Sequence, residues 1–134
     1  MEKGGGGVEQ KKNPSERLEE FLGWVAECEK EYNTAAETVR REDIRLQDLL
    51  HELEFSQDYK ERNHTAGKLK DSRKNRRVAK DIVKRNELVV KFFDEQSSRG
   101  MLKRMRQLVD RQKSEEKYLD GKRIYKLRAE KEAR

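Results

Sequence analysis

Between Leu18 and Phe55 an apolar or aromatic side chain recurs every seventh residue: Leu18, Val25, Tyr32, Val39, Leu46 and Leu53. A second set follows each of these by three or four residues: Phe21/Leu22, Cys28, Ala35/Ala36, the charged pair Glu42/Asp43, and Leu49/Leu50. Two columns at this spacing form one narrow seam along an α-helix, the geometry in which helices pack lengthwise on each other. The pattern demands a partner helix of comparable length. With 45 % charged and 32 % hydrophobic residues, the chain as a whole has too little apolar material for a thick core, which suits long helices with thin seams.

Helix boundaries follow from capping chemistry. Asn13 is a good N-cap, Pro14 fits the first helical position, and Glu16 completes a capping box, so the first helix is expected over about 14–55. Ser56–Asp58 ends the periodicity, and Asp58 with Glu61 offers a second capping box, opening a helix over about 59–96. Its seam is read as Leu69, Val83 and Val90, with Ala79 and Phe93 between them and Arg76 at the one seven-fold position that is not apolar. Gly67 leaves open a reversal around His64–Gly67 instead. Ser97–Gly100 reads as a turn, followed by a shorter amphipathic helix over about 101–119 through Met101, Leu102, Met105, Leu108 and Val109.

The expectation is therefore an all-α fold: a long antiparallel, coiled-coil-like hairpin plus a shorter third helix. A flexible tail over 1–12 precedes a helical domain over 13–119, and a basic C-terminal tail over 120–134 follows it. A fold-back at Gln57–Asp58 brings the polar break of the first helix beside that of the second. Asp43 and Arg76 then serve as a register pair that penalises sliding by one heptad. Phe21, Trp24 and Phe92 fall off the seam, where the third helix is the expected cover. Ile44, Leu50 and Phe55 near the tip have no evident partner, and are read as a dimer contact or as a binding surface; the chain is expected to form a homo-oligomer.

Charge is unevenly placed. Residues 14–55 hold twelve acids against five bases, a net −7; residues 60–85 hold eleven bases against three acids, a net +8; the whole chain carries +6. Within the basic stretch Lys70, Arg77, Lys84 and Lys91 are seven apart, with Arg73 and Lys80 between them on the same side. Such a stripe can follow phosphates or dock on an acidic protein surface. It can equally neutralise the acidic first helix, and the charges alone leave the two readings even. Backbone contact to nucleic acid without sequence readout is favoured over base stacking, because Tyr59 is the sole aromatic near residues 60–85. In the tail, Lys122, Arg123, Tyr125 and Arg128 could add a further contact.

Other chemistries have less behind them. Gly4–Gly7 lacks the Gly-Lys-Ser/Thr ending of a phosphate loop. Two histidines thirteen residues apart and one cysteine offer no metal-ligand spacing, and Asp48 with His51 lacks the facing ligands of a bundle site. No nucleophile sits in a catalytic motif, so the expectation is a non-enzyme with no cofactor and no metal. The apolar runs cannot span a bilayer, which gives a cytoplasmic protein with no membrane partner. Cys28 reads as a small buried hydrophobe.

At Gln47–His51 (QDLLH) and Arg73–Asp81 (RKNRRVAKD) the chain resembles small helical proteins of bacteriophages and prophages of Gram-positive bacteria, over residues 30–125. The resemblance implies a phage-type accessory protein acting in the host cytoplasm, and transfers no active site. It adds a second reading: an inhibitor of a host antiviral defence nuclease, acting by protein contact through the acidic residues Glu20, Glu27, Glu31 and Glu37. A structural coiled-coil oligomer is the third.

Overall fold

The computed structural model describes residues 11–122. They form three helices, α1 (Pro14–Glu54), α2 (Tyr59–Asp94) and α3 (Gln96–Asp120). The fold is all-α, a long helical hairpin and a shorter third helix. Most of the tails assigned to 1–12 and 120–134 lies outside the described residues.

The caps explain the boundaries. Glu16 accepts from the Asn13 backbone N–H at 2.7 Å, the return half of a capping box. The Asp58 carboxylate accepts from the Glu61 N–H at 2.8 Å and opens α2. Gly67 lies inside α2 with ordinary helical backbone, so the reversal is at Ser56–Asp58 and not at His64–Gly67.

The second boundary departs from the sequence reading. Ser97–Gly100 is not a turn: α3 starts at Gln96, and all four residues are helical. The break between the two helices is made by Glu95 alone, in extended backbone at φ −64° and ψ 148°. Its N–H donates to the Phe92 carbonyl at 3.3 Å and its carbonyl accepts from the Arg99 N–H at 2.9 Å, so one residue closes α2 and starts α3. Serines are at home in a first helical turn, which is why the Ser-Ser pair belongs to the helix.

The chain divides into two compact units. One comprises residues 23–99; the other brings the start of the chain up to Leu22 together with the chain from Gly100 onward. In the first, Cys28, Ala35 and Leu49 are buried at seven-residue multiples on α1, with the half-buried Glu42 between them. The facing column on α2 is Thr65, Ser72, Ala79 and Asn86, each seven residues from the last and each buried. The Leu69, Arg76, Val83, Val90 column is only half-buried and flanks it. The centre of the α2 seam is thus small and mostly polar, not apolar as the periodicity suggested. At the end of this unit away from the turn, Trp24 and Phe93 meet edge to face, centroids 6.5 Å apart, and Phe92 meets Phe93 likewise at 5.0 Å.

In the second unit, Leu102 and Val109 of α3 are buried at seven-residue spacing. Leu18 and Phe21 of α1 line an open groove with Met105 and Leu108. Trp24 and Phe92, expected under the third helix together with Phe21, keep 46 % and 55 % of their surface exposed.

Candidate functional site

The polar residues at the centre of the α2 seam decide how charge is distributed over the hairpin. A buried hydroxyl or amide needs a hydrogen-bond partner. Ser72, 1 % exposed, donates to a Glu42 carboxylate oxygen at 2.7 Å. Thr65 donates to Glu52 at 3.2 Å, and Asn86 donates to the Ile82 carbonyl at 2.9 Å and to Glu31 at 3.5 Å. Three α1 carboxylates are therefore aimed at uncharged α2 donors inside the seam. No buried side-chain polar atom among the described residues lacks a partner.

A fourth α1 acid, Asp43, accepts from Arg76 Nε at 2.6 Å, a pair between the two arms placed at the shared polar break. Glu37 turns to Arg40 of its own helix at 2.6 Å, which lowers its pKa from the ordinary carboxylate value. Glu31, Glu42, Glu52, Asp43 and Glu37 are thus engaged in the seam, at Arg76 or within their own helix, and Glu52 also lies 3.9 Å from Lys68 of α2.

The basic stripe lies elsewhere on α2. Helical geometry puts Lys70, Arg73, Arg77, Lys80, Lys84 and Lys91 in a band roughly 80° wide and about 32 Å long, turned away from the buried column. All six are exposed. Lys84 and Lys91 converge on Glu87 at 3.5 and 3.0 Å; the bond from Lys91 lowers the Glu87 pKa and raises that of Lys91. Among the described residues, Lys70, Arg73, Arg77 and Lys80 have no carboxylate within ion-pair distance. Lys122 is exposed at the end of the described chain; Arg123, Tyr125 and Arg128 lie outside the described residues.

Thr65, Ser72 and Asn86 were missed as functional positions in the sequence, although their seven-residue spacing was a signal. A column of small polar residues opposite an acid-rich helix takes up part of the bonding of those carboxylates, alongside Arg45 on Glu42 and Lys68 on Glu52, and Lys70, Arg73, Arg77 and Lys80 take no part in it.

Elsewhere, an open groove of about 830 Å³ runs between the two arms, its floor at Ala35 and Ala79 and its walls at Thr34, Thr38, Val78 and Ile82. The exposed Leu50 flanks a smaller depression with Gln47, His51 and Glu54. Among the described residues no group of three or more His, Cys, Asp or Glu side chains is placed to hold a metal ion, and no helix is long and apolar enough to cross a membrane. Comparison with protein-family models, with curated proteins and with solved structures finds no match to this chain.

Proposed function

We propose that the protein is a non-catalytic, phage-type accessory protein that docks the outer basic face of α2 on an anionic partner, in the first instance the phosphate backbone of a nucleic acid. The observation that carries this reading is the separation of charges: Glu31, Glu42, Glu52 and Asp43 of α1 are engaged across the seam or at Arg76, and Glu37 within its own helix, while Lys70, Arg73, Arg77 and Lys80 have no described acid within ion-pair distance. This weighs against neutralisation of the stripe inside the hairpin, the alternative that composition left even. Cations spaced one turn apart along a rigid helix suit phosphate contacts, which position a duplex without reading its sequence.

The inhibitor reading has less support. Of its four candidate acids, Glu20 pairs with Lys12, Glu37 with Arg40, and Glu31 bonds Asn86. That leaves Glu27 as the exposed acid outside these contacts.

The test is binding to a labelled 24-base-pair DNA or RNA duplex over a salt series. Four phosphate contacts give a slope of about −3.6 in log K against log salt. Binding that is absent at 50 mM salt, or that does not weaken with salt, overturns the nucleic-acid form of the proposal. Salt-dependent capture of an acidic protein in its place would keep the basic face and change the partner.

A further inference from the structure

The groove between the two arms lies on the other flank of α2 from the basic stripe, so it is open to a second use. Its floor is made of small residues, Ala35 and Ala79, which let another helix approach closely. The apolar wall on α2 stands proud of the surface. Val78 is 56 % exposed, and further along the same flank Phe92 is 55 % exposed. The opposite wall, on α1, is low and polar, with Thr34 and Thr38.

The two rims also differ in charge. Glu27 and Glu31 line the α1 side, with Lys30 the base among the α1 residues there, and Lys74 lines the α2 side. Arg85 follows Val78 by seven residues on the same flank, exposed and with no described ion pair. One arm thus offers knobs and bases, and the other offers a shallow trough and acids.

A surface of this kind complements itself. We infer that the groove is the contact face of a homodimer in which the two hairpins lie face to face around a two-fold axis running along their length. That axis lays α1 of each copy over α2 of the other at the same level. The level is set within one chain: Glu31 reaches Asn86, beside Arg85, and Trp24 meets Phe93, beside Phe92. In the dimer Glu31 therefore faces Arg85 of the second copy, Trp24 comes beside Phe92 of the second copy, and Val78 and Ile82 enter the trough at Ala35 and Thr38. The other in-plane axis, across the hairpin, lays α1 on α1 and sets the Glu27/Glu31 rim against itself; like charges disfavour it.

The stretch from Trp24 to Thr38 is about 21 Å long. With two helices side by side it offers roughly 400 Å², half of the ~800 Å² per partner of a standard interface. The dimer is accordingly a small-interface, weak one. It does not depend on the anionic-partner reading, because the two faces are separate and the readout is self-association of the protein alone.

Sedimentation velocity of the full chain from 5 to 500 µM at low salt tests it, with circular dichroism confirming that each variant keeps its helicity. The wild type is expected to pass from monomer to dimer, and Val78→Glu to remain monomeric. Glu31→Lys and Arg85→Glu each set like charges face to face at both ends of the contact and are expected to raise the dissociation constant at least tenfold. An equimolar mixture of those two variants restores opposite charges at both ends and is expected to bring association back to within about threefold of wild type. A wild-type chain that is monomeric at 500 µM, a dimer indifferent to Val78→Glu, or a mixture no better than its components would each overturn the proposal. Dimerisation lost in Phe55→Ser but kept in Val78→Glu would place the contact at the turn and overturn it as well.

Discussion

Ser15 and Glu116 are bonded to each other twice across 101 residues of chain: the Ser15 N–H donates to one carboxylate oxygen at 3.0 Å and its hydroxyl to the other at 2.5 Å. Ser15 is in the first turn of α1, where backbone N–H groups have no partner within the helix. A carboxylate from α3 serves as the cap that local sequence would normally supply, and its negative charge meets the positive end of the α1 dipole. Gln112 steadies it from one turn earlier, at 3.1 Å.

These bonds, the Ser15 hydroxyl first, lower the Glu116 pKa from its ordinary value of 4.5. A carboxylate lowered in the folded protein stabilises the fold fully above its unfolded value, and that contribution is lost as pH falls through the folded one. Glu116→Gln should therefore melt below the wild type at pH 7, and the gap should close on titration from pH 5 to pH 3. Glu37 and Glu87, lowered by Arg40 and Lys91, keep part of the acid sensitivity in the variant. A gap that is the same at pH 7 and pH 3 would exclude a role for the charge.

Gly67 and Gly100 are helical, with φ in the ordinary range, and a Cβ added at either meets nothing within 4 Å. Their flexibility serves no turn in the folded chain and costs entropy on folding. Gly67→Ala and Gly100→Ala should each stabilise the protein by about 0.5–1 kcal/mol, measured by urea unfolding. The Gly100 result bears on the α2–α3 boundary directly, since a turn at Ser97–Gly100 would make the same substitution neutral or harmful.

How much of this was legible in the sequence depends on which physical signal each residue carried. Leu18 to Leu53 gave α1 away because apolar periodicity reports burial. Asp58 and Glu61 marked the start of α2 because a cap is local chemistry. The centre of the α2 seam was hidden, because Thr65, Ser72 and Asn86 are buried through bonds to Glu52, Glu42 and Glu31, and no hydropathy pattern registers a polar residue satisfied from another helix. The single-residue turn at Glu95 was hidden for a related reason: Ser-Ser-Arg-Gly has turn composition, and only the backbone shows that the helix has already begun. The stripe was visible as a row of cations, but whether acids lay against it was a question of three-dimensional pairing.

The Ser72–Glu42 bond gives that hidden seam a measurable role. Ser72→Ala leaves the half-buried Glu42 carboxylate with only the longer bond from Arg45, at 3.4 Å, and should cost about 1–2 kcal/mol. Removing both partners, in Ser72→Ala with Glu42→Leu, replaces the bond by apolar contact and should recover most of that loss or exceed it. A double-mutant cycle by urea unfolding separates the coupling from the single effects. If the double variant is as unstable as the sum of the singles, the bond is not what Ser72 contributes, and its small volume at the helix contact is.

Among the described residues Glu87 is the acid that pairs with cations of the basic stripe, held between Lys84 and Lys91 at 3.5 and 3.0 Å. An anionic partner approaching that end meets two lysines already engaged and a carboxylate that repels it. At the other end Lys70, Arg73, Arg77 and Lys80 present no such obstacle. Glu87→Gln removes the repulsion and releases both lysines, so it should tighten duplex binding about threefold to tenfold at 100 mM salt and steepen the salt dependence by up to two released counterions. Lys84→Gln with Lys91→Gln should weaken binding less than Lys70→Gln with Arg77→Gln, because the first pair is already partly neutralised. Fluorescence anisotropy on a labelled duplex measures all three. Equal losses from the two lysine and arginine pairs, with no gain from Glu87→Gln, would mean that the partner does not discriminate between the paired and the open end of the helix. The separation of charges on α2 would then not be what selects the face that docks.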